Sequence, residues 1–310
     1  MSLPPYLRSL LAAAAVAGLL VACRPVPSDD TAAPASDLSR PALAVQVLTG
    51  HMRSGDFAAF ARDAVPPSLH ARLEAAWGAG ATRWPLDELP FSEHLPAVLG
   101  ALAADDAEAT LLAGFDRQVA GSAREIRSAA ATLGMFGMQY VEQQGDFSES
   151  ERDHYPQLVA AVAQWASQAP LADRAHAAEA IARLSAAARE VGPATAEDLA
   201  AAGMEASLRR IGAFSMEARA VLGGYGLDLD AALASARASL QVQQGDRATV
   251  RLRYVLAGSE IDTVVAMERI DGRWYVGDFL RHARAAAGAH APAPPAPAPA
   301  PAPAEPLAAP

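Results

Sequence analysis

The sequence contains no lysine and no asparagine, and its 310 residues include one cysteine, Cys23. Without a lysine amine, a phosphate-cradling P-loop, a Schiff base or a Ser-Lys dyad cannot be built from these side chains. A single thiol rules out a disulfide within the chain. Net positive charge is missing too. The formal charge is −10, and residues 1–22 contain Arg8 as their only charge, so the remainder carries −11. An acidic chain has no electrostatic footing on phosphates, so neither DNA nor RNA is expected as a partner. G-x-S-x-G and H-E-x-x-H are absent, which leaves no nucleophile elbow and no zincin helix. No catalytic, cofactor or metal residues are assigned, and the chain is not expected to be an enzyme.

What is present begins with an apolar run at 10–21, preceded by Arg8 and followed by small residues. The run is shorter than the ~20 residues a membrane helix requires, so residues 1–22 read as an export signal. It ends in Leu20-Val21-Ala22-Cys23, which resembles the lipobox of bacterial lipoproteins. The resemblance covers the first 23 residues and implies that Cys23 is acylated and becomes the first residue of the mature chain. At ~0.8 kcal/mol per buried methylene, more than one acyl chain makes such an anchor effectively permanent. The family's sorting rule retains proteins with Asp after the cysteine in the inner membrane. Arg24 follows Cys23 here, which implies the periplasmic face of a Gram-negative outer membrane.

Residues 23–40 are polar and Pro-rich and are expected to form a flexible tether. From 41 to about 238, apolar residues recur at helical spacing between capping and turn signals. Helices are expected over 42–53, 57–64, 68–77, 94–103, 107–119, 122–143, 149–167, 175–191, 199–211, 215–222 and 230–238. Ser68 is expected to cap the third of these, and Ser148 and Thr195 to open others with capping boxes. Ile126, Ala130, Leu133, Phe136 and Tyr140 fall on one side of the long 122–143 helix and are expected to face inward. Trp84 and Leu86 are expected as inward anchors of the loop over 78–89.

Near residue 240 the period changes from 3.6 to 2. Turn signals at Gly245-Asp246, Gly258-Ser259 and Asp271-Gly272 separate four alternating runs. Two-residue turns at the second and third signals set Leu252 opposite Val265, Val250 opposite Met267, and Met267 opposite Val276. One face then collects Val250, Leu252, Tyr254, Leu256, Ile261, Val265, Met267, Trp274 and Val276, and the other carries Thr249, Arg251, Arg253, Asp262 and Glu268. The first strand, 240–243, joins this pattern only through a three-residue loop. The fold class is therefore α+β: a helical body on one face of a C-terminal antiparallel meander, domain 41–284, with the meander at about 240–280. The hairpin over 269–276 resembles the terminal hairpin of NTF2-like domains. Some two hundred helical residues precede it here, so that family's cone-shaped pocket does not carry over. Residues 285–310 alternate Ala and Pro and are expected to be a disordered, extended tail.

Several constellations invite chemistry. His176 and Glu179 stand one helical turn apart, as metal ligands on a helix do, though a solvated helix face explains them as well. Asp105-Asp106 and Asp228-Leu-Asp230 pair carboxylates, and helix capping accounts for both. Trp274 and Tyr254 are candidates either for lining an apolar pocket or for core packing. The expectation is a non-enzymatic envelope interaction or structural protein, attached to the membrane through acyl chains on Cys23, with an envelope protein or peptidoglycan as partner. The alternative is a periplasmic carrier or sensor of a small apolar ligand held between sheet and helices.

Overall fold

A computed structural model describes residues 38–89, 92–143 and 147–288. The signal segment, Cys23, nearly all of the tether and the tail beyond 288 lie outside the described residues. Among those described, 67% of the structure is helical, in twelve α-helices, and a four-stranded antiparallel sheet stands near the C-terminus, an α+β fold. None of these helices is long and apolar enough to cross a membrane.

The helices are α1 (Pro41–Ser54), α2 (Phe57–Asp63), α3 (Pro67–Gly78), α4 (Leu95–Ala103), α5 (Ala107–Gln118), α6 (Ala123–Gln143), α7 (Glu149–Gln168), α8 (Arg174–Val191), α9 (Ala196–Ala202), α10 (Met204–Gly224), α11 (Leu229–Ser235) and α12 (Gly277–Gly288). The strands are β1 (Arg237–Gln244), β2 (Arg247–Leu256), β3 (Ser259–Ile270) and β4 (Arg273–Val276), hydrogen-bonded in sequence order. Both expected capping boxes form, Ser148 with Glu151 on α7 and Thr195 with Asp198 on α9. Trp84 and Leu86 are buried as expected.

Several boundaries differ from the sequence reading, each for a local reason. Pro66 is the N-cap of α3 and Pro67 its first residue, which leaves Ser68 inside the first turn rather than capping it. Gly203, at φ 80°, separates α9 from α10 where one helix was expected. Ser215 starts no new helix: its hydroxyl donates to the Gly212 carbonyl at 2.6 Å, and α10 runs on through it. Leu38, expected in the tether, is buried, and its carbonyl accepts the Trp274 N–H at 2.8 Å.

On α6 the expected inward face is half right. Ile126 and Ala130 are buried, whereas Phe136 and Tyr140 are exposed. A Cβ on Gly134 would stand 2.7 Å from the Ala163 Cβ, and one on Gly137 would stand 3.0 Å from a Val159 methyl. The α6–α7 seam is therefore too close for large side chains, and the aromatic residues turn outward.

The sheet faces come out as read, in a different register. Met267 pairs with Val276 as expected. Across β2 and β3, however, Val250 pairs with Val265 and Leu252 with Thr263, two residues from the expected partners. The turn is Ala257-Gly258, at φ 49° and 80°, like Asp271-Gly272 at 50° and 81°. A type I′ turn needs positive φ at both central residues, and in both hairpins glycine takes the second. A shift of two preserves the faces, so Val250, Leu252, Tyr254, Leu256, Ile261, Met267, Trp274 and Val276 are all buried, joined by Thr263. Strand β1 is longer than expected. It joins through a two-residue turn, and a bulge between Leu240 and Val242 makes the phase change assigned to a longer loop.

The edges of the sheet are handled unequally. Strand β4 covers only the end of β3, and at the bare part of β3 the Gln157 side chain bonds both the N–H and the C=O of Asp262. At the overhang of β2, the Ser235 hydroxyl accepts the Val255 N–H at 2.9 Å. The meander is also not the end of the domain. Helix α12 follows β4 directly and buries Leu280, Ala283 and Ala287, so folded structure continues past the expected limit at 284.

Candidate functional site

The densest polar cluster gathers where α12, the N-terminus of α7 and the loop after α3 meet. It grows from the capping box: Glu151 accepts the Ser148 N–H at 2.7 Å while its own N–H bonds the Ser148 hydroxyl at 3.1 Å. Capping leaves acceptor capacity on the carboxylate, and three further groups use it. Arg281 donates to Oε2, His282 Nε2 stands 3.2 Å from Oε1, and the Tyr155 hydroxyl donates to Oε1 at 3.3 Å. His282 Nδ1 bonds the Glu88 carboxylate. Arg281 also stands 3.4 Å from Asp278.

Burial alone would raise the Glu151 carboxyl. The hydrogen bond from His282, the Ser148 N–H and the Arg281 charge outweigh it and hold the group at about 2. For His282, hydrogen bonds to Glu151 and then Glu88 hold the imidazole up at about 9 against partial burial. At neutral pH His282 is thus an imidazolium donating from both nitrogens, with no lone pair left to take a proton. Tyr155 is pushed up by burial and by the Glu151 charge, so its hydroxyl stays protonated. The cluster works as an electrostatic clasp, tying α12 to α7 and to the Leu86–Glu88 turn.

Beside it, burial lowers His154 to about 4, against the opposing pull of Asp153 and Asp278. The buried Tyr254 hydroxyl lies 2.6 Å from His154 Nε2, a hydrogen bond whose direction is set by which nitrogen of the neutral ring carries its proton. Elsewhere His51 Nε2 meets Asp63 at 2.8 Å and Arg273 reaches the other oxygen of that carboxylate at 3.1 Å. Burial opposes ionisation of Asp63, but the His51 hydrogen bond and the surrounding charges keep it below its ordinary value.

Glu88 also borders an apolar depression with Met52, Phe57, Phe60, Leu86, Leu89 and Phe279, whose volume of about 20 Å3 admits a water and no metabolite. A second depression, of about 330 Å3, lies open between the start of α6 and the turn before α8, lined by Ile126, Arg127, Gln168 and Asp173. Neither is a cavity between the sheet and the helices.

The constellations singled out in the sequence do not converge. His176 and Glu179 are both exposed, and His176 bonds Asp173, the N-cap of α8, at 3.0 Å. Asp106 flanks α5 and accepts the Thr110 hydroxyl at 2.9 Å. Asp228 caps α11 through the Ala231 N–H at 2.8 Å, and Asp230 lies 3.4 Å from Arg219. Trp274 and Tyr254 are buried in the core. Among the described residues no group of three or more His, Cys, Asp and Glu side chains is arranged to hold a metal ion. Glu88 and His282 were missed because residues 277–288 were read as the sheet's end and the start of a tail. The spacing of Phe279, Leu280, Ala283 and Ala287 carries the helical period that would have placed His282 on a packed helix.

No protein-family model, no curated protein and no solved structure matches this chain.

Proposed function

We propose that this chain is a lipid-anchored, non-enzymatic interaction protein of the Gram-negative envelope, facing the periplasm from the outer membrane. The observation that carries the reading is Leu20-Val21-Ala22-Cys23, with Cys23 the only cysteine in the sequence and Arg24 after it. The chemistry of the folded part supports it. The densest His-carboxylate cluster among the described residues is charge-saturated: His282 has spent both nitrogens and Glu151 is held ionised, so neither is poised to exchange a proton near neutral pH. The apolar depression at Glu88 is far too small for a carried ligand, and neither it nor the depression of about 330 Å3 before α8 lies between the sheet and the helices.

The test is acylation and fractionation of the full chain. Metabolic labelling with an alkyne fatty acid should mark the wild type in the outer-membrane fraction, and Cys23→Ser should lose the label and accumulate as precursor. Label retained by Cys23→Ser removes the anchor. Ultraviolet crosslinking in intact envelopes then checks the interaction, with a discrete adduct to an envelope component as the expected outcome.

A further inference from the structure

Among the described residues the outer edge of β1 is open, and we infer that a second copy of this chain adds there, β1 against β1, to join two four-stranded sheets across a two-fold axis. The inference is independent of the lipid anchor.

Edges are the hazard of open sheets, and the others each carry a side-chain or backbone partner. Gln157 pairs Asp262 on the bare part of β3, Ser235 pairs Val255 on the overhang of β2, and the Leu38 carbonyl takes the Trp274 N–H of β4. Along the outer side of β1, among the described residues, no hydrogen bond is made to the backbone over Arg237–Gln244. The strand also lacks the usual protection: from Ala238 to Gln244 it has no charge and no proline. Leu240 and Val242 are 47% and 52% exposed on it.

Charge and register select an identical strand as the occupant. Arg237 at one end stands opposite Arg253, a like-charged cross-strand pair, and among the described residues neither guanidinium has a carboxylate within ion-pair distance, although Asp262 of β3 stands across from Arg253. Asp246 lies at the other end, 70% exposed, with Oδ1 already paired to Arg269 at 2.8 Å, so Arg237 of a second copy would take its other oxygen. An antiparallel two-fold pairing that sets Arg237 against the partner's Asp246 places the axis midway, between Gln241 and Val242. In a regular strand this register would be forbidden, because residues facing each other across the axis would point to opposite faces. The bulge between Leu240 and Val242 removes the conflict. Ser239 and Gln244 lie on one face, opposite Arg251 and Arg247, and Leu240 and Gln243 on the other, opposite Val250 and Ala248. Ser239 then meets the partner's Gln244, and Leu240 meets the partner's Gln243, with faces matched on both arms. Because the two-fold pairing consumes the β1 edge of both copies, it gives a dimer rather than a filament.

Cysteine crosslinking in the full chain tests this. Cells producing Ser239→Cys and Gln244→Cys chains together should, on mild oxidation, give a disulfide-linked species of twice the mass, and cells producing either variant alone should not. Arg237→Asp should lower that yield about tenfold by breaking two symmetry-related ion pairs at once, and adding Asp246→Arg in the same chains should restore it. Thermal melts of each variant establish that it is folded. No crosslink between folded Ser239→Cys and Gln244→Cys chains, or equal crosslinking by Ser239→Cys alone, overturns the register and the dimer with it.

Discussion

Gly212 of α10 lies directly over the carbonyl of Gly55, the left-handed residue that ends α1: a Cβ on Gly212 would come within 2.0 Å of that oxygen. The same crossing is secured about two turns further along α10, where the buried Arg219 guanidinium donates to the carbonyls of Met52 and Arg53 at 2.8 Å each. A cation here meets the last carbonyls and the negative end of α1. Close backbone approach and the guanidinium cap together fix how the first two helices sit against α10. Gly212→Ala must push backbone against backbone, so it should cost about 3 kcal/mol or more, at the upper end of overpacking effects. Gly223→Ala, in the same helix with nothing within 4 Å of its Cβ, should be neutral or stabilise by up to ~1 kcal/mol. Urea melts of the two variants check the contrast, and similar stabilities would mean the crossing is looser than described.

The two sheet faces predict opposite sensitivities. Trp274 is 2% exposed, and truncation to Ala should cost about 3–5 kcal/mol. Arg251 lies on the solvent face and pairs with Asp262 at 2.8 Å while remaining well exposed, so Arg251→Ala should leave stability nearly unchanged. If the arginine variant melts at lower urea than the tryptophan variant, the faces are reversed.

Gln157 supplies a side-chain substitute for a missing strand. Its amide accepts the Asp262 N–H and donates to the Asp262 C=O, both at 3.0 Å. Gln157→Ala leaves that peptide unpaired beside α7 and should cost about 1–3 kcal/mol, whereas the exposed Gln164→Ala should stay within ~0.5 kcal/mol. Amide hydrogen exchange gives a local reading. The Asp262 N–H should lose protection in Gln157→Ala and keep it in Gln164→Ala.

Features set by neighbours in the chain were legible in the sequence, and those set by distant partners were not. The capping boxes at Ser148 and Thr195 and the alternation along β2 each depend on a few adjacent residues, and each forms as read. The outward turn of Phe136 and Tyr140 depends on how closely α7 approaches Gly134 and Gly137, which no pattern within α6 reveals. The β2–β3 register hinged on which residue pair takes positive φ, and alanine at Ala257 hides that choice. Among the polar residues, Glu151 was visible as a cap. Its second task needs Glu88, in a segment read as loop, and His282, just past the meander where no helix was read, so the cluster emerges only from the fold.

That cluster gives the protein a stability maximum bounded by two titrations. His282 is raised from 6.5 to about 9, so the stability it contributes is fully present below pH 6.5 and is lost as pH rises through 9. Glu151 is lowered from 4.5 to about 2, so its contribution is present above pH 4.5 and is lost as pH falls toward 2. Both act together between pH 4.5 and 6.5, and the midpoint of unfolding should be highest there. His282→Gln removes the upper titration, so its melting temperature should no longer fall between pH 6.5 and 9 on that account, and the wild-type advantage should shrink as pH rises. Glu151→Gln should instead flatten the acid limb between pH 4.5 and 2, and should cost more at pH 6, because it strips a buried cap of its charge beside Arg281 and His282. Melting curves of the three proteins from pH 3 to 9.5 measure both limbs. An alkaline limb equally steep in wild type and His282→Gln would show that His282 is not held protonated by its two carboxylates, and that α12 is fastened by its apolar face alone.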